Sequence, residues 1–227
     1  MRQHRQIGPR GEYTIHFLSL FGNQDIDYSK LAHSKAETMS LKLQTEAWIS
    51  EVSPGVRLDL TVYPDMDIIN LRYNFAYGGQ VSNSYRSTNV GFGINYTLPV
   101  IVALLSAKPG GLVLLENPEA HLHPLGQVKI AELIARAASC CIHVMVETHS
   151  DHILNGIRVA VHDGIISPEL VKIYFLGRGE YQPQGTISVI SPRIDRDGRI
   201  DRWPEGFFDE WDKSLERLLT PAKNKEG

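Results

Sequence analysis

Apolar and polar residues alternate over Val56–Pro64 and Ile68–Ala76, and both runs are rich in β-branched and aromatic side chains. This spacing predicts two strands, joined as a hairpin by a turn at Pro64-Asp65. Upstream, Leu31, Met39, Leu43 and Ala47 recur at helical spacing and predict an amphipathic helix over 30–52. Downstream, a polar Gly/Ser/Asn stretch (78–89) gives way to INYTLPVIVALLSA (94–107), a predicted helix with Pro99 in its first turn. From Gly110 the pattern changes. GLVLLE (111–116) is a continuous apolar run of the kind found in strands buried on both faces. A helix over 124–139 opens on Pro124, a second buried strand follows over 141–147, and a helix over 151–164 closes on Gly164. Residues 171–177 and 186–191 read as further strands. Alternating strands and helices predict an α/β fold, a mainly parallel sheet flanked by helices with the hairpin upstream. Ligands of such sheets sit beyond the carboxyl ends of the strands. ENPEAHLH (116–123) and ETHSDH (147–152) both fall at such ends.

Composition narrows the picture only slightly. With 227 residues, 42% of them hydrophobic and 22% charged, the chain can build a sizeable core without a disulfide or structural metal. It contains no internal repeat and no low-complexity tract. A net charge of −3 provides no global basic field to recruit nucleic acid. Cys140 and Cys141 are neighbours in a predicted strand and therefore point to opposite faces, which disfavours a mutual disulfide and suggests a reducing compartment. No apolar run approaches the ~18–20 residues of a membrane span, and MRQHRQIGPRGEY lacks an apolar signal core. The expected location is the cytoplasm.

The strand-end motifs admit two chemistries. His121 and His123, with His149, Asp151 and His152, are zinc-ligand types and would suit a metal-dependent hydrolase. A whole helix and strand separate the two halves, however, and His123 also suits the cap of the helix opening at Pro124. The alternative is phosphate chemistry. Four apolar residues ending in Glu116 make a Walker B pattern, in which the acid faces Mg²⁺ through a water and the next residue handles the attacking water. A low-dielectric strand end would keep that carboxylate oriented for a hard cation. Thr148-His149-Ser150 ends the next strand, where ATPases of the ABC type place a switch histidine. Upstream, the small residues of Asn89–Asn95 precede a helix and leave backbone N–H groups open to phosphate. Each signal is common alone; their order and spacing give the combination its specificity.

IGPRGEY (7–13), VGFGINYTLPVIVALL (90–105), LLENPEAHLHPLGQ (114–127), ETHSDHILNGIRVAV (147–161) and WPEGFFDE (203–210) carry a resemblance that covers nearly the whole chain. The sequence resembles the C-terminal half of the ABC-type AAA ATPases related to RecF, the SMC proteins and the overcoming-lysogenization-defect nucleases, closest to a bacterial subgroup of them. The resemblance implies a P-loop NTPase-like ATPase head with ATP and Mg²⁺ as cofactors. Gly91, Gly93 and Asn95 would form a degenerate signature loop, Glu116 would replace the Walker B aspartate, Asn117 the catalytic glutamate, and His149 would be the switch histidine. It implies one ATPase-like domain over 1–227: a helix-and-hairpin region (1–89), the signature, Walker B and switch core (90–177), and a tail (178–227). It also implies a nucleotide-gated homodimer, each signature loop closing on the other subunit's nucleotide, and suggests DNA repair or defence against phage.

Two departures stand out. No G-x-x-x-x-G-K-[ST] occurs in the 227 residues, so the phosphate loop is expected from an N-terminal Walker A half or a companion subunit. Asn117 cannot accept a proton, and Glu119 is the nearby substitute. Both departures also fit a catalytically silent interaction module with an ATPase-like fold. Near the end, Asp195-Arg196-Asp197-Gly198 lacks the glutamate of a calcium loop and reads as a turn. Trp203, Phe207, Phe208 and Trp211 read as a cluster packing the tail onto the core.

Overall fold

Two helices open the chain; the first was not predicted, and the second departs from its predicted bounds. The first, α1 (Thr14–Phe21), is a short segment with five apolar residues in eight, too brief for a helical period to announce it. The second, α2, covers only Leu41–Val52, although the spacing from Leu31 onward is helical. The computed structural model, which describes residues 6–178 and 187–220, gives the reason. Gln44 is buried, and its amide accepts from the His33 N–H at 2.7 Å and donates to the Thr38 carbonyl at 2.7 Å. Those bonds satisfy a loop that helix formation would otherwise have to satisfy. Leu31 is still fully buried, but in an isolated 3₁₀ turn whose carbonyl accepts from the Trp48 indole.

The predicted hairpin is present. Strands β1 (Val56–Tyr63) and β2 (Ile68–Tyr77) pair antiparallel, with Val56 opposite Phe75 and Tyr63 opposite Ile68. Pro64–Met66 make a 3₁₀ turn, and Asp67 takes the left-handed conformation that closes it. Two short strands, β3 (Gln80–Val81) and β4 (Tyr85–Arg86), extend the sheet from β2. Buried Glu46 of α2 accepts from the Leu58 N–H at 2.9 Å, tying helix to sheet.

Helix α3 (Phe92–Ser106) starts two residues earlier than expected and carries Pro99 midway along rather than in its first turn. The ring packs where Gly11 approaches: a Cβ on Gly11 would lie 2.4 Å from the Pro99 Cβ. Then come β5 (Leu112–Glu116), α4 (Pro124–Ser139), β6 (His143–Glu147) and α5 (Asp151–His162). Strands β5 and β6 are parallel, joined by a crossover helix, as the alternation predicts. Cys140 and Cys141 precede β6 instead of lying in it; both are free, Cys140 buried at the end of α4 with its thiol pKa raised by that burial, and Cys141 exposed.

The chain divides after Ile166 into two compact units. In the second unit β7 (Phe175–Arg178) and β8 (Ile187–Ile190) pair antiparallel with each other and do not extend the parallel pair. The Asp195–Gly198 segment is the expected turn, with Asp195 accepting from the Asp197 and Arg199 N–H groups. Phe207 is buried against the rings of Phe175, Trp203 and Phe208. Trp211 stands apart from that cluster, 70% exposed on α6 (Glu210–Leu219). No helix of the described residues is long and apolar enough to cross a membrane.

Candidate functional site

Register places the acids. β5 and β6 run parallel with Leu112 beside His143, Leu114 beside Met145, and Glu116 beside Glu147. Side chains in register share a face, so two carboxylates stand together at the carboxyl ends of the strands. Val113, Leu115, Val144 and Val146 on the opposite face pack into the core. The prediction of burial on both faces is therefore corrected: Leu112, Leu114 and Met145 are 63%, 66% and 66% exposed. Glu116 is exposed too, so its orientation does not come from a low-dielectric pocket. An apolar row leading into an acid pair lies open on this face.

Beyond Glu116 the chain makes a tight loop. The Asn117 N–H donates to the Glu147 carbonyl at 2.9 Å, adding one rung to the ladder. Asn117 then turns left-handed, with φ 47°, and its carbonyl accepts from the Ala120 N–H at 3.0 Å. Asparagine tolerates that conformation and most residues do not. This gives Asn117 a backbone reason to be there, independent of catalysis. Asn117→Ala and Asn117→Glu should each lose about 1 kcal/mol of stability, while Asn117→Gly should not. Urea unfolding of the three variants checks this; equal midpoints for Ala and Gly would contradict it.

Glu119 and the histidine loop meet directly. One Glu119 oxygen, Oε1, accepts from the backbone N–H of His149 at 3.0 Å, and Oε2 is buried without a hydrogen-bond partner among the described residues. The exposed His149 ring lies with Nε2 3.0 Å from Glu147 Oε1. Ser150 caps α5, its hydroxyl accepting from the His152 and Ile153 N–H groups and donating to Gln127 Oε1 at 2.5 Å. Gln127 Nε2 in turn donates to the Leu122 carbonyl at 2.9 Å.

The histidines do not gather around one point. His121, left-handed at φ 63°, sets its ring 4.9 Å from Tyr96 and 5.8 Å from Phe92. His123 occupies the N-cap position of α4, but its side chain makes no capping bond. His152 lies 3.7 Å from Asp151. Among the described residues no group of three or more His, Cys, Asp or Glu side chains is placed to hold a metal ion. Ring packing on α3 and pairing with Glu147 account for His121 and His149 without zinc.

At the start of α3 the three candidate loop residues have different surroundings. Gly91 is the N-cap, with open space around it. Gly93 is a packing position, since a Cβ there would lie 2.8 Å from the His121 carbonyl oxygen. Asn95 is engaged at both ends of its amide: Oδ1 accepts from the Tyr73 hydroxyl at 3.0 Å and Nδ2 donates to the Ser87 carbonyl at 2.8 Å. Burial raises the pKa of the Tyr73 phenol, so it stays protonated as the donor. Three residues of this region escaped the sequence reading: Glu147, Gln127 and Ser150. The signal for Glu147 was present, because it ends its strand as Glu116 ends the preceding one.

This architecture has counterparts among solved structures. One, from a study of ATP-driven dimerization and DNA-stimulated activation of SMC ATPases, superposes with a TM-score of 0.50 at 13% identity, over 92% of this chain and 99% of that one. Another, an SMC head bound to the C-winged helix domain of ScpA, gives a TM-score of 0.50 at 15% identity over 69% of this chain and 43% of that one. The fold is therefore that of the SMC ATPase heads. Residues 57–155 match the family described as "AAA domain, putative AbiEii toxin, Type IV TA system", a stretch that takes in the hairpin, α3 and both strand ends. Residues 166–218 match a family described as a protein of unknown function (DUF3696), a stretch that covers most of the second unit. No curated protein sequence matches the chain.

Proposed function

We propose that this chain is the Mg-ATP-engaging lobe of an ABC-type ATPase whose phosphate loop lies on a separate lobe. One observation carries the reading: a parallel strand pair ends in two adjacent acids and leaves an apolar face uncovered beside them. Parallel sheets are ordinarily covered on both faces. A strand–phosphate loop–helix unit docked on Leu112, Leu114 and Met145 would bring its loop to the edge where Glu116 stands. Carboxylate oxygens are the donors Mg²⁺ takes, and Glu116, with Glu147 beside it, fits that ion through a water. When bound, the ion neutralises charge on the β- and γ-phosphates. The triphosphate cradle itself is not among these residues, since no Walker A loop occurs in them.

Each residue then has a task. Glu116 orients the hydrated cation. His149, on an exposed loop at the neighbouring strand end, reaches toward the γ-phosphate. Gly91 and Gly93 open the signature helix toward the nucleotide of a second copy, and Asn95 holds that helix start in place, so the working unit is a head-to-head homodimer. Asn117 occupies the catalytic base's position and cannot take a proton, so turnover is slow. A cytoplasmic role in DNA repair or phage defence follows from the same reading. The test is to assemble the chain with a lobe bearing G-x-x-x-x-G-K-[ST] and measure phosphate release from Mg-ATP. Release above that of either lobe alone supports the ATPase; tight assembly with no release supports the silent interaction module.

A further inference from the structure

We propose that the loop Asn117–His123 is a strap fixing both the switch loop and the signature helix around Glu116, and that Glu119 is the positioning residue through which it holds His149. The strap turns at two non-glycine residues in the left-handed region, Asn117 at its start and His121 two residues before its end, a conformation that persists only where neighbours enforce it. Toward α5 it makes two separate connections. Glu119 Oε1 accepts the His149 N–H at 3.0 Å, a charge-assisted bond and so stronger than a neutral one. The Leu122 carbonyl accepts from Gln127, which accepts from Ser150, the cap of α5.

Toward α3 the strap is seated by contact. The His121 carbonyl lies where a side chain on Gly93 would stand, and the His121 ring packs beside Tyr96 and Phe92 on successive turns of the helix. The Leu122 side chain is buried in the core. A displacement of the start of α3 must therefore move His121, and with it Glu119 and the backbone of His149. This explains the two motifs HxH and THS without a shared metal. It also removes Glu119 as a free proton acceptor, because one oxygen is bonded to the His149 amide and the other is buried.

The tether belongs to the chain itself; its catalytic consequence rests on the ATPase reading. Hydrogen exchange at the His149 amide, followed by NMR in the 227-residue chain, tests it. Glu119→Ala should speed that exchange roughly tenfold or more. Glu119→Gln, which keeps an acceptor oxygen, should stay close to wild type, and amides within α4 should not change in either variant. Gly93→Ala, by displacing the His121 carbonyl, should also speed it. Equal His149 exchange in wild type and Glu119→Ala overturns the proposal, whether or not ATP is turned over. In the assembled ATPase, Glu119→Ala should lower kcat with little change in KM, and Glu119→Gln should restore it. If Glu119→Gln is as slow as Glu119→Ala while the His149 amide stays protected, Glu119 is a base and not a positioner.

Discussion

In the two-lobe ATPase, Glu116→Gln is expected to lower steady-state phosphate release by roughly a hundredfold or more. The substitution keeps the shape of the side chain and removes its charge. Cation-assisted charge stabilisation in phosphoryl transfer is worth several kcal/mol, and each ~1.4 kcal/mol is a factor of ten in rate. Folding should not suffer, because Glu116 is exposed at a strand end beside a second acid, and removing one of two like charges relieves repulsion. A loss of turnover with an unchanged urea midpoint is thus the expected pair of results. Unchanged turnover would mean that Glu116 does not manage the cation, and that Glu147 beside it is the acid to examine.

Gly156→Leu should destabilise the chain by about 3 kcal/mol or more. Gly156 lies in α5 where it crosses α4, and a Cβ there would sit 2.5 Å from the Ala131 Cβ and 3.1 Å from the Val128 carbonyl oxygen. No rotamer of a larger side chain avoids a clash that begins at Cβ and involves backbone, so the helices must separate. Even alanine, favoured over glycine by about 1 kcal/mol in a helix, should give no net gain here. Because Ser150 caps α5 and bonds Gln127 of α4, separation would also shift Ser150 and the neighbouring His149. Denaturant unfolding measures the effect; a wild-type midpoint for Gly156→Leu would mean that the two helices do not pack this closely.

Much of the first unit was legible in its hydrophobic periods. The hairpin alternates with period two, α4 opens on Pro124, and the run Leu112–Leu115 ends at an acid, so each of these elements appears where the sequence puts it. Residues 32–40 were not legible, because the helical spacing of Leu31 and Met39 is coincidental and Gln44 satisfies the loop from a distance. The continuous apolar run of β5 signals a strand that needs cover on both faces, but not that this chain leaves one of them open. Helix α6 had its signal in Trp211, Leu215 and Leu218, spaced four and three apart; grouping Trp211 with the aromatic residues before it obscured that stripe. At the site, Glu116 ends β5 and His149 lies two residues beyond the end of β6, so the strand pattern placed both at the carboxyl edge of the pair. The bond from Glu119 to His149 could not be read there, since a side chain bonding a backbone amide thirty residues away leaves no local pattern.

The central claim is that this chain supplies the acid and switch residues while another lobe supplies the phosphate cradle. Calorimetric titration of Mg-ATP into the chain alone, and into the chain assembled with a Walker A lobe, tests it most directly. The assembled protein should bind with a micromolar dissociation constant, about 8 kcal/mol, and the chain alone no better than millimolar, about 4 kcal/mol. Micromolar binding by the chain alone would contradict the account, because the triphosphate would then be held by residues to which no phosphate-binding role is assigned here.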